Sequence, residues 1–167
     1  PAGLWAYAPL RNVKLANGPS NPTPIDTLIE NALPSGLKVA PPATRQALIR
    51  RATFDLTGLP PTPEQVAHFV DDQRTDKLAF AAVIERLLES PHYGERWTAM
   101  WMDLARYSDS KGYEKDRHRD MWPYRDWLIN AFNADMPFDE FTRKQLAGDL
   151  KPDYRWHDLV ASMFHRN

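Results

Sequence analysis

The placement of proline constrains this chain more than any other feature. Thr23-Pro24, Thr62-Pro63 and Ser90-Pro91 each set a capping hydroxyl before a proline, and Pro123 and Pro137 open two further apolar segments. The first turn of a helix needs no N–H from that position and already has the φ that proline imposes, whereas a proline deeper in a helix breaks it. The hydroxyl accepts a hydrogen bond from one of the free N–H groups of the turn. Stops follow the same logic: Pro34-Ser35-Gly36, Gly58 before Pro60-Pro61, and Gly148. Such punctuation selects many short helices with stiff joints over a few long ones.

Apolar residues recur at helical spacing along most of these segments, and no alternating strand pair stands out. The first helix starts at Thr23 and buries Ile25, Leu28, Ile29 and Ala32. The second runs from about Ala43 to Asp55, with Leu48, Ala52 and Leu56 on one side, widened by Ala47 and Ile49. Thr62 and Gln65 form a capping box for a third helix, with Val66, Phe69 and Val70 inward and His68 at the surface. A fourth, Asp76 to Glu89, carries Leu78, Ala82, Ile84, Leu87 and Leu88. After Pro91, 100° steps put Trp97, Trp101 and Leu104 on a buried face and Arg96, Met100, Asp103 and Tyr107 on the neighbouring one. The helix from Pro123 carries Trp127, Leu128, Ala131 and Phe132. The next, from Pro137, points Phe138, Phe141 and Leu146 inward, and a last short helix spans Asp158 to Phe164. The expected fold is mostly α: an irregular multi-helix bundle with long Pro-rich loops and no substantial sheet. Residues 1–22 form an extended arm pinned by Trp5, and residues 23–167 form a single helical domain.

Composition excludes several function classes. A formal net charge of -1 gives no bulk attraction to nucleic acid or anionic lipid. No apolar run is long enough to span a membrane. The chain has no cysteine, hence no disulfide, no thiolate metal site and no covalent haem attachment of its own. It has no Gly-rich phosphate loop and no nucleophile elbow. His92, His118, His157 and His165 form no i,i+4 pair of the kind that holds zinc on a helix.

The chemistry concentrates between Ser90 and Asp126, where an aromatic helix, a loop dense in charge and tyrosine, and a second aromatic helix follow one another. The candidate catalytic residues are Asp103, Arg106, Tyr107, Asp109, Glu114 and Asp116. Trp101, Tyr113, Arg125 and Asp126 are the candidate substrate-binding residues. Acids and bases alternate with aromatics through a turn at Gly112, between two tryptophan-bearing helices that can hold the loop ends rigidly. Convergence of these residues on one polar cleft is expected, with Asp103 paired to Arg106 or Arg96. The plainer alternatives are an ion pair that orients the helix, an Asp126 that only complements a helix dipole, and a solvated loop. Loop carboxylates could also hold a hard cation such as calcium, but the spacing around Gly112 does not fit an EF-hand. Carboxylates beside aromatics suit carbohydrate chemistry too, which needs two carboxyls about 5–10 Å apart.

The run G-E-R-W-x-x-x-W-x-D-L-A-R-Y-x-D-S-x-G-Y-E-x-D, from Gly94 to Asp116, resembles the planctomycete cytochrome-c-associated domain of unknown function. The blocks Leu48 to Glu64, Tyr124 to Phe141 and Gln145 to Leu150 are similar to the same family, in the family's order; Met100 departs from it, where the family often has histidine. The resemblance implies an extracytoplasmic module of a larger cytochrome-c-linked protein with a redox-associated role; the carboxylates beside aromatics keep open a carbohydrate-active or carbohydrate-binding domain, and a structural or interaction scaffold is the third reading. The resemblance also implies that the pattern continues beyond Asn167 to a Cys-x-x-Cys-His-type segment, making this the N-terminal part of a longer domain. Haem c or a metal would then belong to the parent protein. The remainder of that chain would be a partner, alongside a polysaccharide or an electron-transfer protein.

Overall fold

A computed structural model describes residues 24–113 and 115–166. The arm over residues 1–22, Thr23 and Glu114 lie outside the described residues. Among the described residues the helices are α1 (Pro24–Ala32), α2 (Arg45–Thr57), α3 (Pro63–Val70), α4 (Asp76–Leu88), α5 (Pro91–Leu104), α6 (Trp122–Asn133), α7 (Phe138–Ala147) and α8 (Trp156–Ala161). Short 3-10 turns cover Gly148–Leu150 and Ser162–Arg166. The extended pairing described is one isolated antiparallel bridge, Ser110 with His118. The fold is therefore mostly α, as the proline punctuation predicts.

The chain divides into two compact units, residues 1–42 and 43–167. Helix α1 belongs to the first. Its expected buried stripe is not buried: Ile25, Leu28 and Ile29 are exposed, and Thr27 is the buried residue. A helix of 9 residues carries the amphipathic pattern, but no described residue of its own unit covers it.

In the second unit, α2, α3 and α4 enclose a mostly aliphatic core of Ile49, Ala52, Ala79, Val83 and Leu87 around the ring of Phe69. Local chemistry sets the ends of these helices. Thr44 caps α2 by accepting from the Ala47 N–H at 3.3 Å, so the helix starts at Arg45 rather than Ala43. Gly58 closes it in the left-handed conformation (φ 72), donating to the Phe54 carbonyl at 3.0 Å. The Thr62/Gln65 capping box forms in both directions, at 2.9 and 3.3 Å. One arginine joins the three helices. Arg45 donates to the carbonyls of Phe69 (2.9 Å), Asp72 (2.6 Å) and Arg74 (2.9 Å) and to the Asp76 carboxylate (2.8 Å), satisfying carbonyls left open at the end of α3. The α4 stripe is rotated from its expected position. Ala79, Val83 and Leu87 face the core, while Leu78 and Leu88 are exposed. The small Ala79 lets this row approach its neighbours, and a leucine in its place would not fit.

Helix α5 crosses α6 at Gly94. A Cβ there would stand 2.5 Å from the Ile129 carbonyl oxygen and 2.6 Å from the Asn133 side chain, so only glycine allows this approach. Asn133 uses the closeness: its Oδ1 accepts from the Gly94 N–H at 2.7 Å, and its Nδ2 donates to the Pro91 carbonyl at 3.2 Å. Ser90 caps the same turn through the His92 N–H at 3.4 Å. Because the row Gly94–Thr98 faces α6, Trp97 and Trp101 are half-buried and Leu104, expected in the core, is 76% exposed.

The second core is aromatic. Tyr124, Trp127, Leu128, Ala131 and Phe141 are buried with Ala105, Val160 and Ala161. Trp127 stacks on Tyr124 (6.4 Å between ring centroids, 8° between planes) and on Phe141 (5.5 Å, 24°). At its centre Gln145 Oε1 accepts from the Trp101 indole N–H at 2.9 Å and from the Tyr124 hydroxyl at 2.6 Å. Burial pushes the Tyr124 phenol up to about 12. Helix α7 thus buries Phe141 and Gln145, while Phe138 (71% exposed) and Leu146 turn outward, against expectation. Helix α8 begins at Trp156 rather than Asp158. Asp158 is instead a buried capping group that accepts from the Arg155 N–H at 3.0 Å, and a Cβ on Gly148 would collide with its carbonyl oxygen.

Candidate functional site

The loop after α5 begins with a strained turn. The Tyr107 N–H returns to the Met102 carbonyl at 2.9 Å and the Arg106 N–H to Asp103 at 3.3 Å, which is a Schellman ending. Its left-handed position, usually glycine, is Arg106 (φ 56). The turn aims Tyr107 back over α6, where its ring stacks on Tyr124 at 6.4 Å. The Tyr107 hydroxyl donates to Asp109 Oδ1 at 2.6 Å. Burial, then the bond to Asp109 and its charge, push the Tyr107 phenol up to about 12; the Arg125 charge opposes this shift and the Asp126 charge adds to it. Arg125 in turn donates from Nε and Nη2 to Asp126 Oδ1, both at 3.3 Å.

Tyr107, Asp109, Arg125 and Asp126 therefore form one cluster. The other expected members do not join it. Asp103 is exposed, and its expected side-chain pairing with Arg96 or Arg106 is not among the described hydrogen bonds and ion pairs: its contact with Arg106 is the backbone bond of the turn. The Arg106 side chain is exposed, as is Tyr113, at 80%. Asp116 closes the loop on itself, accepting from the Gly112 N–H at 2.7 Å. Hydrogen bonds from the Ser110 side chain and that N–H hold its carboxyl below the usual range. Glu114 lies outside the described residues. Trp101 is tied to the core through Gln145 and sets its edge against Phe141 at 4.9 Å. Among the described residues no group of three His, Asp or Glu side chains is placed to hold a metal ion.

Asp126 also faces a second feature, which sequence reasoning missed. An open groove of about 480 Å³ runs between α6, α7 and α8. Its floor is Trp127, Ala131 and Val160; Asp126, Asn130, Lys144 and His157 supply polar groups, and Trp122 and Trp156 stand at its edges. Trp122 is 52% exposed and Trp156 72%. The Lys144 ammonium is engaged by Glu140 at 2.8 Å, as Asp126 is by Arg125. Trp122, Asp126 and Asn130 repeat every four residues, so the α6 side of the groove leaves a trace in the sequence. Trp156 and His157 come from a different helix, and nothing local announces them.

An apolar floor with a few convergent polar groups is the form of a ligand site. Among the described residues Asp126 is the one carboxylate on its lining. The groove's aromatic edges and polar groups are equipped to hold a ligand by apolar contact and hydrogen bonds. The chain has no cysteine of the kind that attaches a c-type haem.

An all-helical unit with an aromatic core and an aromatic-edged groove defines the structural class. Residues 24–167 match the model of the PSCyt2 family, described as a protein of unknown function (DUF1549). The chain belongs to that family, the planctomycete cytochrome-c-associated domain. No curated protein and no solved structure matches it. No helix among the described residues is long and apolar enough to cross a membrane.

Proposed function

We propose that this domain is an extracytoplasmic glycan-binding module of a larger cytochrome-c-linked protein, in which any haem is carried by other parts of the parent chain. One observation carries the binding role: two exposed tryptophans flank a groove whose polar groups are one carboxylate, one amide, one ammonium and one imidazole. The flat face of an indole suits the C–H face of a sugar ring, while carboxylate and amide groups accept and donate to its hydroxyls. Large exposed aromatics beside a concave surface mark interaction sites on soluble proteins. Membership of the family supports the cytochrome link and the location.

Affinity electrophoresis of the domain through gels containing soluble polysaccharides tests this reading. Retardation by at least one neutral polysaccharide, abolished in Trp122→Ala and Trp156→Ala, is the expected result. Both rings are mostly outside the core, so these variants keep their helical circular dichroism. Unretarded migration in every gel, or retardation unchanged by both substitutions, returns the domain to a scaffold role.

A further inference from the structure

Trp156 lines two cavities, not one. Beyond the main groove it borders a second cavity of about 230 Å³, formed with Leu159, Val160, Ser162, Met163 and Arg166. Val160 is also common to both, so the two lie side by side along α8 with the Trp156 ring at their shared wall. A ligand confined to one sugar would use one cavity and leave the other empty.

Charge narrows the ligand further. In the main groove both formal charges already have protein partners: Asp126 has Arg125 at 3.3 Å, and Lys144 has Glu140 at 2.8 Å. Arg166 puts a positive group at the far end of the second cavity. A uniformly acidic chain lying across both cavities would favour Arg166 but set its other carboxylates beside Asp126. A uniformly basic chain meets the reverse conflict. An uncharged, hydroxyl-rich chain meets neither, and it finds hydrogen-bonding groups along the whole path at Asp126, Asn130, Lys144 and Ser162.

Resting on the glycan-binding reading above, we infer that the groove takes the interior of an extended, neutral polysaccharide, with at least two adjoining subsites divided by Trp156. In this arrangement the main groove holds one part of the chain between Trp122 and Trp156. The chain then passes over the Trp156 edge and continues against Leu159 and Met163.

Isothermal titration of the domain with neutral cello-, manno- and laminari-oligosaccharides, from disaccharide to hexasaccharide, tests the inference, with oligogalacturonates of matched length alongside. For whichever neutral series binds, affinity should rise about tenfold or more from disaccharide to hexasaccharide, which corresponds to about 1.4 kcal/mol. Met163→Ala, at a residue that lines the second cavity and not the main groove, should flatten that rise while leaving the disaccharide unaffected. Trp122→Ala should weaken every length. Equal affinity at all lengths would overturn the two-subsite inference and leave glycan binding standing. Tighter binding of the galacturonates would overturn the neutral-chain inference alone. Absence of binding by every series, together with free migration in the polysaccharide gels, would remove the glycan-binding reading and this inference with it.

Discussion

The two cores of the second unit are built on different principles. The α2–α4 core is mostly aliphatic, with Phe69 as its buried ring, and α2 and α3 have local devices: a Thr44 cap, a Thr62/Gln65 box and a Gly58 stop. The core around α6 is aromatic, with a buried glutamine at its centre. Its helices α6 and α7 begin without any side-chain cap, and the turns after α5 and α6 use Arg106 and Asp135 where glycine is usual. In the first region neighbouring residues start α2 and α3 and stop α2, while Arg45 closes α3 from a distance and α4 starts without a side-chain cap. The second depends on long-range contacts, and it is the one that carries the groove and the Tyr107 cluster. Departures from the easiest local chemistry gather where function is proposed, as they do at sites whose geometry is imposed by their surroundings.

The largest effect that would sharpen this contrast comes from Trp127. Trp127→Ala removes a ring stacked on two others and should cost about 3–5 kcal/mol in urea unfolding. Val83→Ala in the α2–α4 core should cost clearly less. Equal losses would mean that the aromatic core holds no special share of the stability.

Gln145→Leu comes next. It leaves the Trp101 N–H and the Tyr124 hydroxyl without their acceptor, at a cost of about 2–3 kcal/mol. Adding Tyr124→Phe removes one stranded donor, so the double variant should be more stable than the sum of the two single losses. Strict additivity would show that the glutamine packs there without organising the core.

A smaller effect depends on pH. The hydrogen bond from the Arg155 N–H, with lesser help from nearby cations, holds the Asp158 carboxyl below its ordinary value. A carboxyl depressed in the folded state contributes stability that is present above its unfolded pKa of about 4 and lost as pH falls through the folded value. Acid unfolding curves taken below about pH 4 should therefore be flatter for Asp158→Asn than for the native chain. Parallel curves would remove Asp158 from the acid response.

The smallest expected change has the opposite sign. Arg106→Gly relieves a left-handed backbone and should raise stability by about 0.5–1 kcal/mol. A loss instead would show that the Arg106 side chain makes a contribution its exposure does not suggest.

What was legible in the sequence follows the same division. Helix starts at Pro63 and Pro91, and the stop at Gly58, rest on neighbours within four residues, and they form as read. Helix rotation was not legible. Leu104, Phe138 and Leu146 read as inward because they are large and apolar, yet the rows that touch other helices are built on Ala79, Gly94, Thr98 and Gln145. Hydrophobic size marks a face, but the closest approach between helices is set by small residues and by one buried amide. The site shows the same limit. Tyr107 and Asp109 meet because they are two residues apart, whereas the expected gathering of Asp103, Tyr113 and Asp116 required a loop path that no local rule specifies. Trp156 reaches the groove only through the packing of α8.

Asn133 has a consequence for folding. The first turn of α5 is held by a side chain from the far end of α6, 39 residues away for the Gly94 bond. That turn is complete only when the two helices have docked, so their formation and their association belong to a single cooperative step. In hydrogen–deuterium exchange the Gly94 amide should open together with α6 instead of fraying as helix ends normally do. Ser90 caps that turn locally, and the Asn133 bonds make the same turn report on the assembly of the pair.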